Sequence, residues 1–157
     1  KDNSQISILD FGCGLGHLYE FLKKNNYLWN YTGIDINPHL IDEAKKKHKD
    51  GFFQVGDFDS FVKKQNFDLI FFIGTFNRKF SDSSSLMYTS INKAISLSRM
   101  GVHLSALAPW ALTKYEKNFY PSLSIFESCV NREYVSGLNI TSNRILGEMS
   151  VDYYIHN

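Results

Sequence analysis

Three carboxylates and a glycine-spaced turn carry most of the chemistry in this chain. Residues 8–16 read Ile-Leu-Asp-Phe-Gly-Cys-Gly-Leu-Gly, a short apolar strand running into Gly12, Gly14 and Gly16. Glycines there let bare backbone come close to a ligand. A helix starting just after them aims its N–H groups and positive dipole end at the same place. Asp10 lies inside the strand, and a buried carboxylate costs several kcal/mol unless paired, so it must face a cationic or donor group. Asp35 ends the apolar run Tyr31-Thr-Gly-Ile-Asp35, about 20 positions beyond the glycines, where a strand tip offers a carboxylate to ribose hydroxyls. In Gly56-Asp57-Phe58 a carboxylate and a ring share a third strand tip.

These groups need a scaffold, and the hydrophobic pattern supplies one. Leu18, Phe21 and Leu22 recur at helical spacing after the glycines. Asn37 caps a second helix with Pro38 at its first position and Leu40, Ile41 and Ala44 as its buried stripe. Phe52–Val55 reads as the third strand, and Phe67–Ile73, almost wholly apolar, as a fourth covered on both faces. A loop and cap at residues 81–85 precede a helix that buries Met87, Ile91, Ala94 and Ile95, with Gly101 as its stop signal. Val102–Leu107 forms the fifth strand, and Leu123, Phe126, Val130 and Tyr134 mark a further amphipathic helix. Met149, Val151, Tyr153 and Ile155 alternate onto one face of a last strand whose hairpin partner lies within residues 136–147. Strand tips of an open α/β sheet line one crevice, which would gather the acids and glycines.

A dinucleotide-binding dehydrogenase is the first competitor. Its fingerprint puts the third glycine at position 17, which is His17 here, and Asp10 would repel a pyrophosphate but not an ammonium group. The chain instead resembles the class I S-adenosylmethionine-dependent methyltransferases. Asp10-Phe-Gly-Cys-Gly-Leu-Gly16 is similar to that family's first motif, and Asp35 to its second acidic station. Gly56-Asp57-Phe58 is similar to its adenine-side motif, and Phe67-Asp-Leu-Ile-Phe-Phe-Ile-Gly74 to its fourth strand.

The resemblance implies a three-layer α/β sandwich: a mostly parallel, seven-stranded Rossmann-like sheet with one antiparallel strand near the C-terminal edge. It implies S-adenosyl-L-methionine as cofactor and S-adenosyl-L-homocysteine as product. Asp10 would stand on the ammonium side, and the turn Gly12, Cys13, Gly14 and Gly16 would pass the carboxylate and ribose. Asp35 would take the ribose hydroxyls, Asp57 beside Gly56 the adenine amino group, and Ile36 and Phe58 the ring faces, with Gly74 closing the set. Cys13 is read as a small filler, not a nucleophile.

The acceptor is less legible. Gly74-Thr-Phe-Asn-Arg78 lacks the Asn- or Asp-Pro-Pro-aromatic motif of enzymes that methylate nucleobase amines or glutamine amides. Asn77 and Arg78, with Trp110, Tyr115 and Tyr120 on the long loop after strand five, are the candidate acceptor wall. No catalytic residue is assigned.

At 157 residues and 43% hydrophobic content, the chain is expected to form one domain over 1–157. The family's helical cap before strand one is almost missing, so a fragment of a longer chain is expected. A net charge of +1 gives no general basic field and weighs against a nucleic-acid partner. Two cysteines make no disulfide framework, and with no spanning segment or secretory signal the expected site is the cytoplasm. The histidines show no metal spacing: His39, His48 and His156 read as solvated, and His103 as a satisfied strand residue. Readings held open are a protein or RNA methyltransferase, and a catalytically silent methyltransferase-like partner module.

Overall fold

The computed structural model describes residues 6–57 and 66–156. Seven strands form one sheet: β1 Ser7–Phe11, β2 Asn30–Asp35, β3 Phe52–Val55, β4 Phe67–Ile73, β5 Ser98–Leu107, β6 Val135–Asn143 and β7 Glu148–Ile155. Their spatial order is β3-β2-β1-β4-β5-β7-β6. The first five pair in parallel, and β7 runs antiparallel to both β5 and β6. The expected sheet, with its one reversed strand next to the C-terminal edge, is the one observed. The strand order turns back between β1 and β4, which places the crevice of such a sheet beside the glycine turn.

Helices among the described residues are α1 His17–Lys24, α2 Pro38–Lys47, α3 Ser83–Leu97 and α4 Leu123–Ser128. One apolar core joins Leu9, Ile34, Ile70, Phe72 and Leu104 to Met87, Ile91 and Ala94 of α3, Phe126 of α4 and Met149, Val151 and Tyr153 of β7. A second, on the other face, joins Ile8, Tyr31 and Phe53 to Leu22 of α1 and to Ile41 and Ala44 of α2. Alternation along the strands decides which core each side chain enters. Asn37 caps α2 as expected, its side chain accepting from the His39 N–H at 3.0 Å.

The structure corrects three expectations. Gly101 does not stop α3: the helix ends at Leu97, Ser98 turns extended, and Gly101 lies inside β5. A Cβ there would sit 2.7 Å from the Tyr153 carbonyl, so the glycine serves strand packing, not a helix cap. The helix from Leu123 ends at Ser128, leaving Val130 and Tyr134 in the loop that leads to β6. Phe21 takes its expected place in α1, where it is 57% exposed and stacks on Tyr27. His48 is buried, not solvated. It closes α2, stacks on Phe53 and meets the edge of Tyr19, and its Nε2 has no hydrogen-bond partner among the described residues. Burial lowers its pKa, with Lys47 adding to the effect.

The end of the sheet away from the crevice is tied by one side chain. Asp68, at an irregularity in the β4–β5 pairing, accepts from the Ser7 N–H and hydroxyl at 2.7 Å each and from Arg99 at 3.1 Å. Ser98 also donates to the Asp68 carbonyl at 3.0 Å, so the starts of β1, β4 and β5 are joined.

Candidate functional site

The glycine turn is built around positive φ. Gly12, Gly14 and Gly16 sit at φ +74°, +53° and +78°, a region that side-chain-bearing residues enter only with strain. The N–H groups of Gly12 and Cys13 both donate to the Ile34 carbonyl, at 2.8 and 3.0 Å, which ties the turn to the tip of β2. A Cβ on Gly12 would meet Thr75 at 2.7 Å, and one on Gly16 would meet Phe53 at 2.8 Å. Gly14 differs: among the described residues nothing lies within 4 Å of its Cβ position. That side of the turn faces open space.

Asp35 is joined to this turn directly. Its Oδ2 accepts the Gly14 N–H at 3.0 Å and its Oδ1 accepts the Asn37 N–H at 2.9 Å. Two backbone bonds therefore fix the carboxylate's orientation, and each oxygen keeps a further lone pair for an incoming hydroxyl. The Gly56 N–H donates to the Asp35 carbonyl at 3.0 Å, which brings the tip of β3 alongside. Beside it, Ile36 and Val55 are 71% and 44% exposed, an apolar surface at the two strand tips. Asp57 is exposed at the same tip, and Phe58 lies outside the described residues.

Asp10 is 2% exposed, and its Oδ2 accepts the Tyr31 hydroxyl at 2.8 Å. The expected donor is there, but it comes from within the protein, and Asp10 stands behind the turn, not on the crevice wall. Burial pushes its pKa up to about 7; the Tyr31 hydrogen bond opposes the rise and the charge of Asp35 adds to it. Gly33 makes the pairing possible, since a Cβ there would lie 2.8 Å from the Tyr31 hydroxyl. Burial, then Asp10 and Asp35, push the Cys13 thiol well up, so it stays protonated at neutral pH. Asp35, beside the turn, makes this end of the sheet attractive to a cationic ligand.

The tip of β4 closes the crevice. Gly74, at φ +68°, donates to the Ser105 carbonyl and hydroxyl of β5 at 3.2 and 3.1 Å. Thr75 donates to the Phe11 carbonyl at 2.7 Å and packs on Gly12. Neither Thr75 nor Tyr31 stands out in the sequence, because each takes its meaning from a partner on another strand. The Asn77 carbonyl receives the Phe119 N–H at 2.9 Å and its side-chain oxygen the Leu107 N–H at 3.3 Å. Asn77 thus anchors the loop after β5. Arg78 lies exposed beyond it, bridged to Asn118. On that loop Trp110 and Tyr115 are 37% and 66% exposed. The Tyr120 hydroxyl accepts the Tyr115 N–H at 3.0 Å, and Lys114 lies over the Tyr120 ring. Bonds of this loop run to Asn77, to Arg78 and Lys79, to Gly147 before β7, and within the loop itself.

His103 pairs with Asp152 across β5 and β7 at 2.7 Å, as a satisfied strand residue should. Among the described residues no cluster of three or more His, Cys, Asp or Glu is placed to hold a metal. No described helix is long and apolar enough to cross a membrane.

Comparison with known proteins agrees with this geometry. Residues 2–148 match the family described as "Methyltransferase domain". Over 76 residues the chain is 33% identical to a malonyl-[acyl-carrier protein] O-methyltransferase of Priestia megaterium, covering 47% of this chain and 28% of that protein. Over 50 residues it is 38% identical to an 18S rRNA (guanine-N(7))-methyltransferase of Bos taurus, covering 32% and 17%. The chain thus spans less than a third of the length of these curated relatives. Among solved structures, magnesium protoporphyrin IX methyltransferase from Synechocystis PCC 6803 with bound S-adenosylmethionine superposes at a TM-score of 0.72 with 17% identity, over 98% of this chain and 71% of that one. Since the match at residues 2–148 takes in the glycine turn, Asp35 and the strands that carry them, the chain belongs to the methyltransferase domain family, whose class I members use S-adenosylmethionine.

Proposed function

We propose that this chain binds S-adenosylmethionine across the tips of β1, β2 and β3. There it presents the methyl group to a small-molecule acceptor seated between the loops that follow β4 and β5. One observation carries the reading: the Gly14 N–H is held on Asp35 at 3.0 Å while no described residue comes within 4 Å of the Gly14 Cβ position, a cradle beside an oriented carboxylate. The residues fit the cofactor's parts. Asp35 accepts the ribose hydroxyls, and Ile36, with Val55 across from it, offers apolar surface to the adenine. Asp57 and Gly56 face the ring's polar edge. The Asp35 carboxylate favours a ligand that carries positive charge.

The bound cofactor supplies a methyl group on a positively charged sulfur, already activated for displacement. The protein's part is therefore to hold and orient. Alignment of this sort is worth roughly 7–11 kcal/mol of barrier when tight. Gly12, Cys13, Gly14 and Gly16 keep backbone, not side chains, against the cofactor, and Gly74 with Thr75 closes its far side. Asn77, Arg78, Trp110, Tyr115 and Tyr120 border the acceptor. A general base is needed only where the attacking atom must lose a proton, and none is assigned.

Calorimetric titration with S-adenosylmethionine, S-adenosylhomocysteine and NAD tests the reading. Binding of the first two and none of the third is expected. Binding of NAD, or silence toward S-adenosylhomocysteine, would overturn it. A methyl-transfer screen across small metabolites then identifies the acceptor.

A further inference from the structure

We infer that the groove between the loops after β4 and β5 is an anion-recognition site. In it Arg78, Lys79 and Lys117 hold a compact anionic group, a carboxylate or a phosphate ester, of the small acceptor. That the anion belongs to a methyl acceptor rests on the function proposed above; the anion site rests on the residues themselves.

Arg78, Lys79, Glu116 and Lys117 line the groove. Its two walls are fastened together by backbone. Phe119 N–H donates to the Asn77 carbonyl at 2.9 Å, Arg78 bridges Asn118, and the Lys79 N–H donates to the Lys117 carbonyl at 2.9 Å. This short ladder sets Lys79 beside Lys117, an arrangement of like charges that costs stability unless something neutralises it. Among the described residues neither of them, nor Arg78, forms an ion pair, and Glu116 is the one acid lining the groove. The whole chain carries a net charge of only +1, so this concentration of cations is local.

Position gives the cluster its meaning. Thr75, three residues before Arg78, touches the glycine turn through the Phe11 carbonyl and Gly12. Three Cα steps span at most about 11 Å, so the groove lies within a small molecule's length of the turn. A guanidinium fork matches a carboxylate or phosphate in two parallel hydrogen bonds, and two ammonium groups add charge from the sides. Glu116 on the rim would oppose a run of phosphates. That favours a compact acid over a nucleic-acid backbone.

The test is an amide NMR titration of the whole chain, saturated with S-adenosylhomocysteine, using four probes: succinate, inorganic phosphate, uncharged succinamide and a short RNA oligonucleotide. Succinate, phosphate or both should shift the amides of residues 77–79 and 116–119, and the stronger of the two names the anion. Succinamide should not move them. Arg78→Gln with Lys117→Gln, checked for unchanged folding by circular dichroism, should weaken the anion response roughly tenfold. Equal responses to succinate and succinamide, or an undiminished response in the variant, would overturn the proposal. So would oligonucleotide binding with no response to either small anion. Failure of S-adenosylhomocysteine to bind the unmodified chain would remove the cofactor assignment alone, since the anion shifts can also be read without it.

Discussion

The Tyr31 hydroxyl donates to Asp10 Oδ2 at 2.8 Å inside the sheet, across a space left by the absent side chain of Gly33. The bond leaves Asp10 with its pKa raised to about 7, burial outweighing the hydrogen bond. A carboxyl raised above its unfolded value of 3.8 has a definite effect on stability. Below that value both states are protonated and nothing is lost. As pH climbs toward 7 the unfolded chain ionises first, and stability falls. Asp10→Asn should therefore gain on the unmodified protein between about pH 4 and 7, by a few kcal/mol at the upper end, since each tenfold difference in acidity between the two states is worth about 1.4 kcal/mol. Urea melts of both proteins across that range check it.

Asp68 should act with the opposite sign. Hydrogen bonds from Ser7, with Arg99 adding less, hold its pKa below the ordinary value. Its stabilisation is present above the unfolded pKa and disappears as pH falls through the lower, folded one. Asp68→Ala should cost about 1–3 kcal/mol at neutral pH, read from urea melts, and progressively less toward acid.

Asp35→Ala should weaken S-adenosylmethionine binding by roughly 1–3 kcal/mol, the range for unmet polar partners. It removes the carboxylate that also orders Gly14 and Asn37. Calorimetry reads the change, and unaltered affinity would contradict the ribose assignment.

Gly12 and Gly14 should respond differently to alanine. At Gly12 the methyl group meets Thr75 at 2.7 Å and φ is +74°, so the melting midpoint should drop by the equivalent of about 1–3 kcal/mol. At Gly14 the backbone strain alone remains, about 1–2 kcal/mol. That variant should fold, yet bind the cofactor at least about tenfold more weakly, because its new methyl group takes ligand space. Thermal melts and calorimetry together separate the two.

Both thiols should resist alkylation in the native state. Cys13 and Cys129 are 6% and 1% exposed, and burial raises both pKa values, that of Cys129 to about 11. Iodoacetamide labelling before and after urea, read by mass spectrometry, should show two protected sites that open together on unfolding.

The scaffold was legible because interior parallel strands announce themselves as unbroken apolar runs. Among these β4 begins and ends where its sequence suggests, and β3, at the edge of the sheet, also keeps its expected bounds. Glycine is the more ambiguous signal. After a helical run Gly101 looks like a stop, and only the approach of the Tyr153 carbonyl reveals why no side chain fits. His48 sits in a lysine-rich stretch that reads as solvent-facing, but the chain folds it onto Phe53 from another element. For the crevice, the glycines and Asp35 were readable because their chemistry is local to the strand tips. Thr75 and Tyr31 were not, since their roles arise from partners 64 and 21 residues away.

The joint made by Asp68 with Ser7, Ser98 and Arg99 has a bearing on how such a fold can diversify. It roots three central strands at one end and asks nothing of the loops at the other. Loop segments such as residues 109–122 and the turn at 144–147 lie outside that joint. Exchanging or lengthening them should leave the register of β1, β4 and β5 intact.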